Sequence, residues 1–140
     1  MTARFAKGLC LLALVFTAGC GPAPSVSGAP ATPAYVQHLS PDQVDTWRGV
    51  HYDGLILDVR SPVEWEDDLL HLDNAVQVPV EDLESRMPEL ERYRARSVLI
   101  YDRTGPRATR AGQILVMHDF KDVSMLDGGL KAYREWQATR

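Results

Sequence analysis

No cysteine follows residue 20 in this 140-residue chain, and only Cys10 and Cys20 occur at all. If the first 19 residues are removed, one thiol is left at the new terminus and no internal disulfide can form. Long hydrophobic runs are missing too. The longest, Leu9 to Phe16, is well short of the ~20 residues that a membrane-spanning helix needs. Positive charge is in deficit, with 15 Lys and Arg against 19 Asp and Glu and a formal charge of −4. That balance argues against nucleic acid as a partner and against charge-driven adhesion to anionic lipid. The four histidines, at 38, 51, 71 and 118, have no metal-ligand spacing, so no metal and no cofactor is expected.

The beginning of the chain is organised for export. Arg4 and Lys7 precede the apolar run, and small residues follow at Thr17-Ala18-Gly19, in the order of a secretory signal. Thr17-Ala18-Gly19-Cys20 resembles the lipobox of bacterial lipoproteins, with Thr17 where leucine is usual. The resemblance implies cleavage before Cys20, lipid on that cysteine and a membrane-anchored, extracytoplasmic location in the cell envelope. Gly21 after the cysteine points to the outer membrane if the organism is Gram-negative. Loss of Arg4 and Lys7 would leave 13 basic against 19 acidic residues, a formal charge of −6. Residues 20–34 then read as lipidated Cys and linker. Four prolines with Ser, Ala and Gly cannot bury a core, and no Asp, Glu, Lys or Arg occurs from Gly8 to Pro41. Fourteen extended residues at ~3.1 Å each span roughly 40 Å, so the stretch is a tether.

Residues 35–140 alternate short strands with helices. Strands are expected at Tyr35 to Leu39, Leu55 to Asp58, Ala75 to Val78, Ser97 to Tyr101 and Val123 to Leu126. Ser40-Pro41-Asp42-Gln43 and Ser61-Pro62-Val63-Glu64 each carry a helix start, with Ser as N-cap, Pro at N1 and Gln or Glu at N3. Short helical turns are expected over Glu81 to Met87 and Pro88 to Tyr93. A longer helix is expected from Ala108 to His118 and a closing one from Leu130 to Gln137. There is no internal repeat. The pattern predicts an α/β domain with a mostly parallel sheet.

The stretch of most chemical interest is Ser97 to Gly112. An apolar strand stops at Asp102, passes through Arg103-Thr104-Gly105-Pro106-Arg107, and gives way to a helical pattern. Strand, tight loop and helix in this order place a ligand at the carboxyl end of a parallel strand, facing the amides of the helix start.

Three stretches in register resemble the rhodanese-like domain family. Asp58-Val59-Arg60-Ser61-Pro62-Val63-Glu64-Trp65 is similar to its Asp-Val-Arg-Ser-Pro-x-Glu-Phe segment. Leu70 to Pro79 keeps His71, Ala75 and Pro79 of its Gly-His-Ile-Pro-Gly-Ala-x-Asn-Ile-Pro segment. Leu126 to Tyr133 follows its Leu-x-Gly-Gly-x-x-x-Trp ending, with Tyr133 at the aromatic position. The resemblance spans about residues 35 to 137. It implies a central five-stranded parallel sheet flanked by helices, and a loop Cys-Arg-x-Gly-x-Arg whose cysteine carries a persulfide. Aligned so, Asp102 occupies the cysteine position, Arg103, Gly105 and Arg107 hold their places, Pro106 fills the variable one, and Ala108 replaces a common hydroxyl.

A carboxylate cannot form a persulfide, and the chemistry depends on a thiolate. The reading is therefore a catalytically inactive domain with no catalytic residue. It acts as a binding or scaffolding module whose loop, Asp102 to Arg107 including Thr104, meets a protein partner or a small anion. Asp102 is read as an internal anion that accepts the loop amides and pairs with Arg103 or Arg107. The arginines admit two roles. Either they face an oxyanion or acidic partner, or Arg107 pairs with Asp102 while Arg103 lies in solvent. Rival readings are a thiosulfate sulfurtransferase-type enzyme working without the loop cysteine, Asp102 as a phosphoryl acceptor, and a purely structural lipoprotein. Asp58 and Arg60 are expected to be structural, Gly128-Gly129 to serve a turn, His71 to be structural, and Trp47, Trp65 and Trp136 to pack the core or the helices.

Overall fold

The computed structural model describes residues 35–67 and 69–140. The signal-like segment, Cys20 and the linker lie outside the described residues. Within them the chain runs β1 (Val36–Leu39), α1 (Pro41–Val50), β2 (Leu55–Asp58), α2 (Pro62–Trp65), β3 (Ala75–Gln77) and α3 (Met87–Leu90). After a single 3-10 turn at Glu91–Tyr93 it continues with β4 (Ser97–Tyr101), α4 (Pro106–Met117), β5 (Asp122–Leu126) and α5 (Gly129–Ala138).

Both helix starts inferred from local capping form as expected. The Gln43 Oε1 accepts the backbone N–H of Ser40 at 2.9 Å, and the Glu64 Oε2 accepts that of Ser61 at 3.2 Å. Two boundaries differ by more than one residue. Glu81 to Arg86 make consecutive turns and the helix forms only at Met87–Leu90. The α4 helix starts at Pro106 rather than Ala108, because proline at the first position already has the helical φ and has no N–H to leave unbonded.

The five strands form one sheet in the order β1-β5-β4-β2-β3, and every pairing is parallel. Central β4 pairs with β2 through Leu57↔Ile100 and with β5 through Leu99↔Ser124. Burial on both faces explains why the middle strands read as unbroken apolar runs. The alternating side chains separate into two cores. Leu55, Leu57, Val98, Ile100, Val123 and Met125 face α3 and α4. Ile56, Leu99, Tyr101 and Leu126 face α1 and α5, where Val44, Trp47, Leu130 and Tyr133 meet them.

This order determines where a site can form. From β2 the chain moves outward to β3, whereas from β4 it moves the other way to β5. Connections therefore diverge above the carboxyl ends of β2 and β4, the switch point at which open parallel sheets leave a crevice. Asp58 ends β2, and Asp102 follows the last residue of β4.

The start of α5 closes onto the same place. The Leu130 N–H donates to the Asp102 carbonyl at 2.8 Å, and the Lys131 N–H to the Arg103 carbonyl at 3.1 Å. Gly128 and Gly129 both have positive φ, 70° and 65°. Gly129 also lies so close to the loop that a Cβ would meet Arg103 C and Thr104 N at 2.5 Å. The pair thus does more than turn the chain, and a side chain at 129 is excluded by backbone that cannot yield. Gly129→Ala is expected to cost about 2–4 kcal/mol, combining left-handed strain with displacement of the loop. The urea midpoint of the variant, at unchanged m-value, measures it.

Candidate functional site

Asp102 is 1% exposed, and its carboxylate turns back onto its own loop. Oδ1 accepts the Gly105 N–H, and Oδ2 accepts the Arg107 N–H at 2.8 Å. Gly105, at φ 121°, is the N-cap of α4. Two amides at that helix start, those of Gly105 and Arg107, are thus taken by an internal carboxylate, with Pro106 contributing none. Negative charge at this end also suits the helix dipole.

The arginines are committed elsewhere than either role foresaw. Arg107 does not chiefly pair with Asp102, whose Oδ2 is 3.8 Å from Nε. It forms a two-pronged bridge to Glu64, with both Nη–Oε distances 2.5 Å. The planar fork of guanidinium matches the two carboxylate oxygens, and α2 brings Glu64 to it. Nor does Arg103 lie unpaired in solvent. Its side chain is 41% exposed, but Nη1 donates to the Asp67 Oδ2 in the loop after α2. Thr104 is exposed and Gly105 buried at the tip.

Beneath these pairs lies Arg60, completely buried beside the equally buried Asp58. Its Nε donates to both Asp58 oxygens at 3.0 Å, and Nη2 to Asp58 Oδ2 at 2.8 Å and the Leu70 carbonyl at 2.7 Å. Nη1 donates to the Glu64 carbonyl at 2.8 Å and to Asp67 Oδ1 at 3.1 Å. Every N–H of this guanidinium has an acceptor. Burial alone would weaken its hold on the proton. The Asp58 hydrogen bond and charge outweigh that and raise its pKa above the ordinary value. The neighbouring Tyr101 phenol is pushed up by burial and then by the Asp58 charge, and its oxygen accepts the Leu72 N–H at 3.1 Å.

Asp58 and Arg60 are therefore structural, as expected, and Asp58 also accepts the Arg60 backbone N–H at 2.9 Å. His71 stacks on Trp65, centroids 4.4 Å apart, while Trp47 is buried and Trp136 packs partly buried on the α5 side. Among the described residues no group of His, Cys, Asp and Glu could hold a metal ion. Sequence reasoning missed Glu64 and Asp67 as partners of the loop arginines. Glu64 was legible as a capping residue and as part of the resembling segment, but not as an ion-pair partner.

The Arg107 bridge, with help from Ser61, holds the Glu64 carboxyl at about 2, against an ordinary value of 4.5. A depressed carboxyl stabilises the folded state fully above 4.5, and that contribution is lost as pH falls toward 2. Glu64→Gln is expected to cost about 1–2 kcal/mol at neutral pH, with partial solvent screening of the pair included. The gap from the parent should close between pH 4.5 and 2. Denaturant melts of both proteins across that range check it, and a gap that stays constant would remove Glu64 as its source.

A family profile described as the rhodanese-like domain matches residues 40–135. The tRNA uridine(34) hydroxylase of Pectobacterium carotovorum is 29% identical over 101 residues, covering 69% of this chain and 28% of that protein. The probable adenylyltransferase/sulfurtransferase MoeZ of Mycobacterium tuberculosis is 28% identical over 95 residues, 68% of this chain and 24% of that one. The chain thus spans about a quarter of the length of these relatives. A rhodanese-related protein from Thermoplasma volcanium shares the fold at a TM-score of 0.59 and 21% identity, over 73% of this chain and 93% of its own. With five parallel strands, a loop at their switch point and a matching profile over most of its length, the chain belongs to the rhodanese-like domain family.

Proposed function

We propose that this chain is a rhodanese-like module without sulfurtransferase chemistry, held at a membrane by lipid on Cys20 and acting by binding a protein partner. One observation carries the reading: the Asp102 carboxylate occupies the loop amides at the start of α4. By the resemblance of the loop to Cys-Arg-x-Gly-x-Arg, that position is the one the persulfide-bearing cysteine would take. A carboxylate there cannot accept sulfur, and it fills the space that an oxyanion would take.

The charge balance points the same way. Asp58, Glu64, Asp67 and Asp102 face Arg60, Arg103 and Arg107. Four carboxylates against three guanidiniums leave the site net negative, unfavourable for thiosulfate or phosphate. A partner read over a surface suits the site better than a small anion. Hydroxylation of tRNA and transfer of adenylyl groups or sulfur are activities in the names of much longer proteins. The site described supplies no thiol for sulfur transfer.

Thiosulfate-to-cyanide transfer is measured on the full chain with Cys10→Ser and Cys20→Ser, so that position 102 is the one place a thiol can be introduced. That protein is expected to be silent. Adding Asp102→Cys removes the internal anion and should allow labelled sulfur to be retained on the chain. Turnover with Asp102 in place would sink the reading. The anchor has its own check. Labelled fatty acid should enter the unmodified chain, and Cys20→Ser should abolish labelling and move the protein from the membrane to the soluble fraction.

A further inference from the structure

Resting on the binding-module reading, we infer that Leu70 is a preorganised apolar anchor for a protein partner whose own pocket is apolar and rimmed by Lys and Arg. The starting observation is a backbone that its residue does not suit. Leu70 has φ 57°, the left-handed region, where a Cβ crowds the carbonyl oxygen. A leucine there gains little by burial in return, because the residue is 64% exposed.

The conformation is held from two sides. Arg60, fully buried, donates to the Leu70 carbonyl at 2.7 Å. Arg134 of α5 donates to the carbonyls on either side, Leu69 at 3.0 Å and His71 at 3.1 Å. Three successive carbonyls are thus fixed by two guanidiniums, and the Leu72 N–H is fixed by the Tyr101 hydroxyl. An over-determined, strained backbone presenting a large apolar side chain to solvent is how an interface anchor avoids ordering losses on binding. It adjoins the site, because Asp67 in the same loop holds Arg103.

Charge selects the partner. Glu66 and Asp73 bracket the segment and are exposed, Asp73 meeting Arg48 only at 3.5 Å with its side chain 87% exposed, and the whole chain is acidic at −4. A pocket edged by basic side chains is complementary, and a bare apolar or anionic surface is not.

A photoreactive phenylalanine analogue is placed at position 70 of the full chain in its own cells, and at Thr104 in a parallel strain. The crosslinked protein is identified and purified, and its affinity for the parent chain, Leu70→Met and Leu70→Gly is measured at low and high salt. The expected results are a crosslink inside an apolar pocket bordered by Lys or Arg, and binding weakened by salt. Leu70→Met should bind nearly as the parent, and Leu70→Gly roughly 10- to 100-fold more weakly, as loss of one buried leucine requires. Leu70→Gly should melt at the same temperature as the parent or higher, since it relieves the strain. A lower melting temperature would make Leu70 structural and overturn the inference. So would crosslinks to lipid, to a second copy or to nothing. A partner captured at position 104 and bound equally by Leu70→Gly would also end it, while leaving the binding-module reading intact. Sulfur turnover by the native chain would end that reading itself.

Discussion

Taking a guanidinium out of water costs several kcal/mol unless each of its donors finds an acceptor and its charge a partner. Arg60 satisfies both conditions, and much of the carboxyl end of the sheet is arranged so that it can. Asp58 must end β2 with its side chain on the same face. The α2 helix must place the Glu64 carbonyl over Nη1, and the following loop must offer Asp67 and the Leu70 carbonyl. Such a pair adds little net stability compared with an apolar replacement of the same shape. Its weight lies in the penalty for alternatives, since removing one partner leaves a buried charge worth about 3–5 kcal/mol. Arg60 therefore acts as a specification of geometry, and the positions of Glu64 and Asp67 follow from it.

Those two carboxylates then decide what the loop arginines can do. A guanidinium beside an amide-lined helix start is a standard arrangement for gripping an oxyanion. Here Glu64 takes both prongs of Arg107, Asp67 takes Arg103, and Asp102 takes the amides. Both loop arginines and the Gly105 and Arg107 amides are thus already engaged within the domain. An incoming anion would have to displace carboxylates that the chain itself holds in place. The geometry that orders the carboxyl end of the sheet is thus the same one on which the proposed loss of small-anion chemistry rests.

The fold was largely legible because its signals are local. Apolar runs of strand length, two Ser-Pro-x-Gln/Glu helix starts and a Gly-Gly turn need no knowledge of distant residues. The stretch from Glu81 to Tyr93, expected as two short helical turns, is weakly patterned, and it forms consecutive turns to Arg86 with regular helix only at Met87–Leu90. At the site the limit was sequence distance. Arg107 and Glu64 are 43 residues apart, and Arg103 and Asp67 are 36. Nothing in periodicity or capping links such positions. Asp102 is adjacent to Arg103 and near Arg107, so a local pairing was the natural expectation. The topology overrode it by bringing the loops after β2 and β4 to one crevice. Gly129 shows the same limit: its φ could be guessed from a turn, but its approach to Arg103 and Thr104 could not.

The backbone of Leu70 connects these threads. A left-handed φ at leucine, worth roughly 1–2 kcal/mol of strain, persists only where the surroundings forbid relaxation. Rotating that residue back to a relaxed conformation would swing its carbonyl off Arg60, leaving a buried N–H without an acceptor at a cost of ~1–3 kcal/mol. It would also disturb the carbonyls that Arg134 holds on either side. The unsatisfied donor alone matches or exceeds the strain, so the strained form wins. Burial of charge at Arg60 and exposure of an apolar side chain at Leu70 are therefore two consequences of one hydrogen bond. On the proposed reading, the crevice whose arginines are taken up by its own carboxylates carries at its edge a fixed apolar projection.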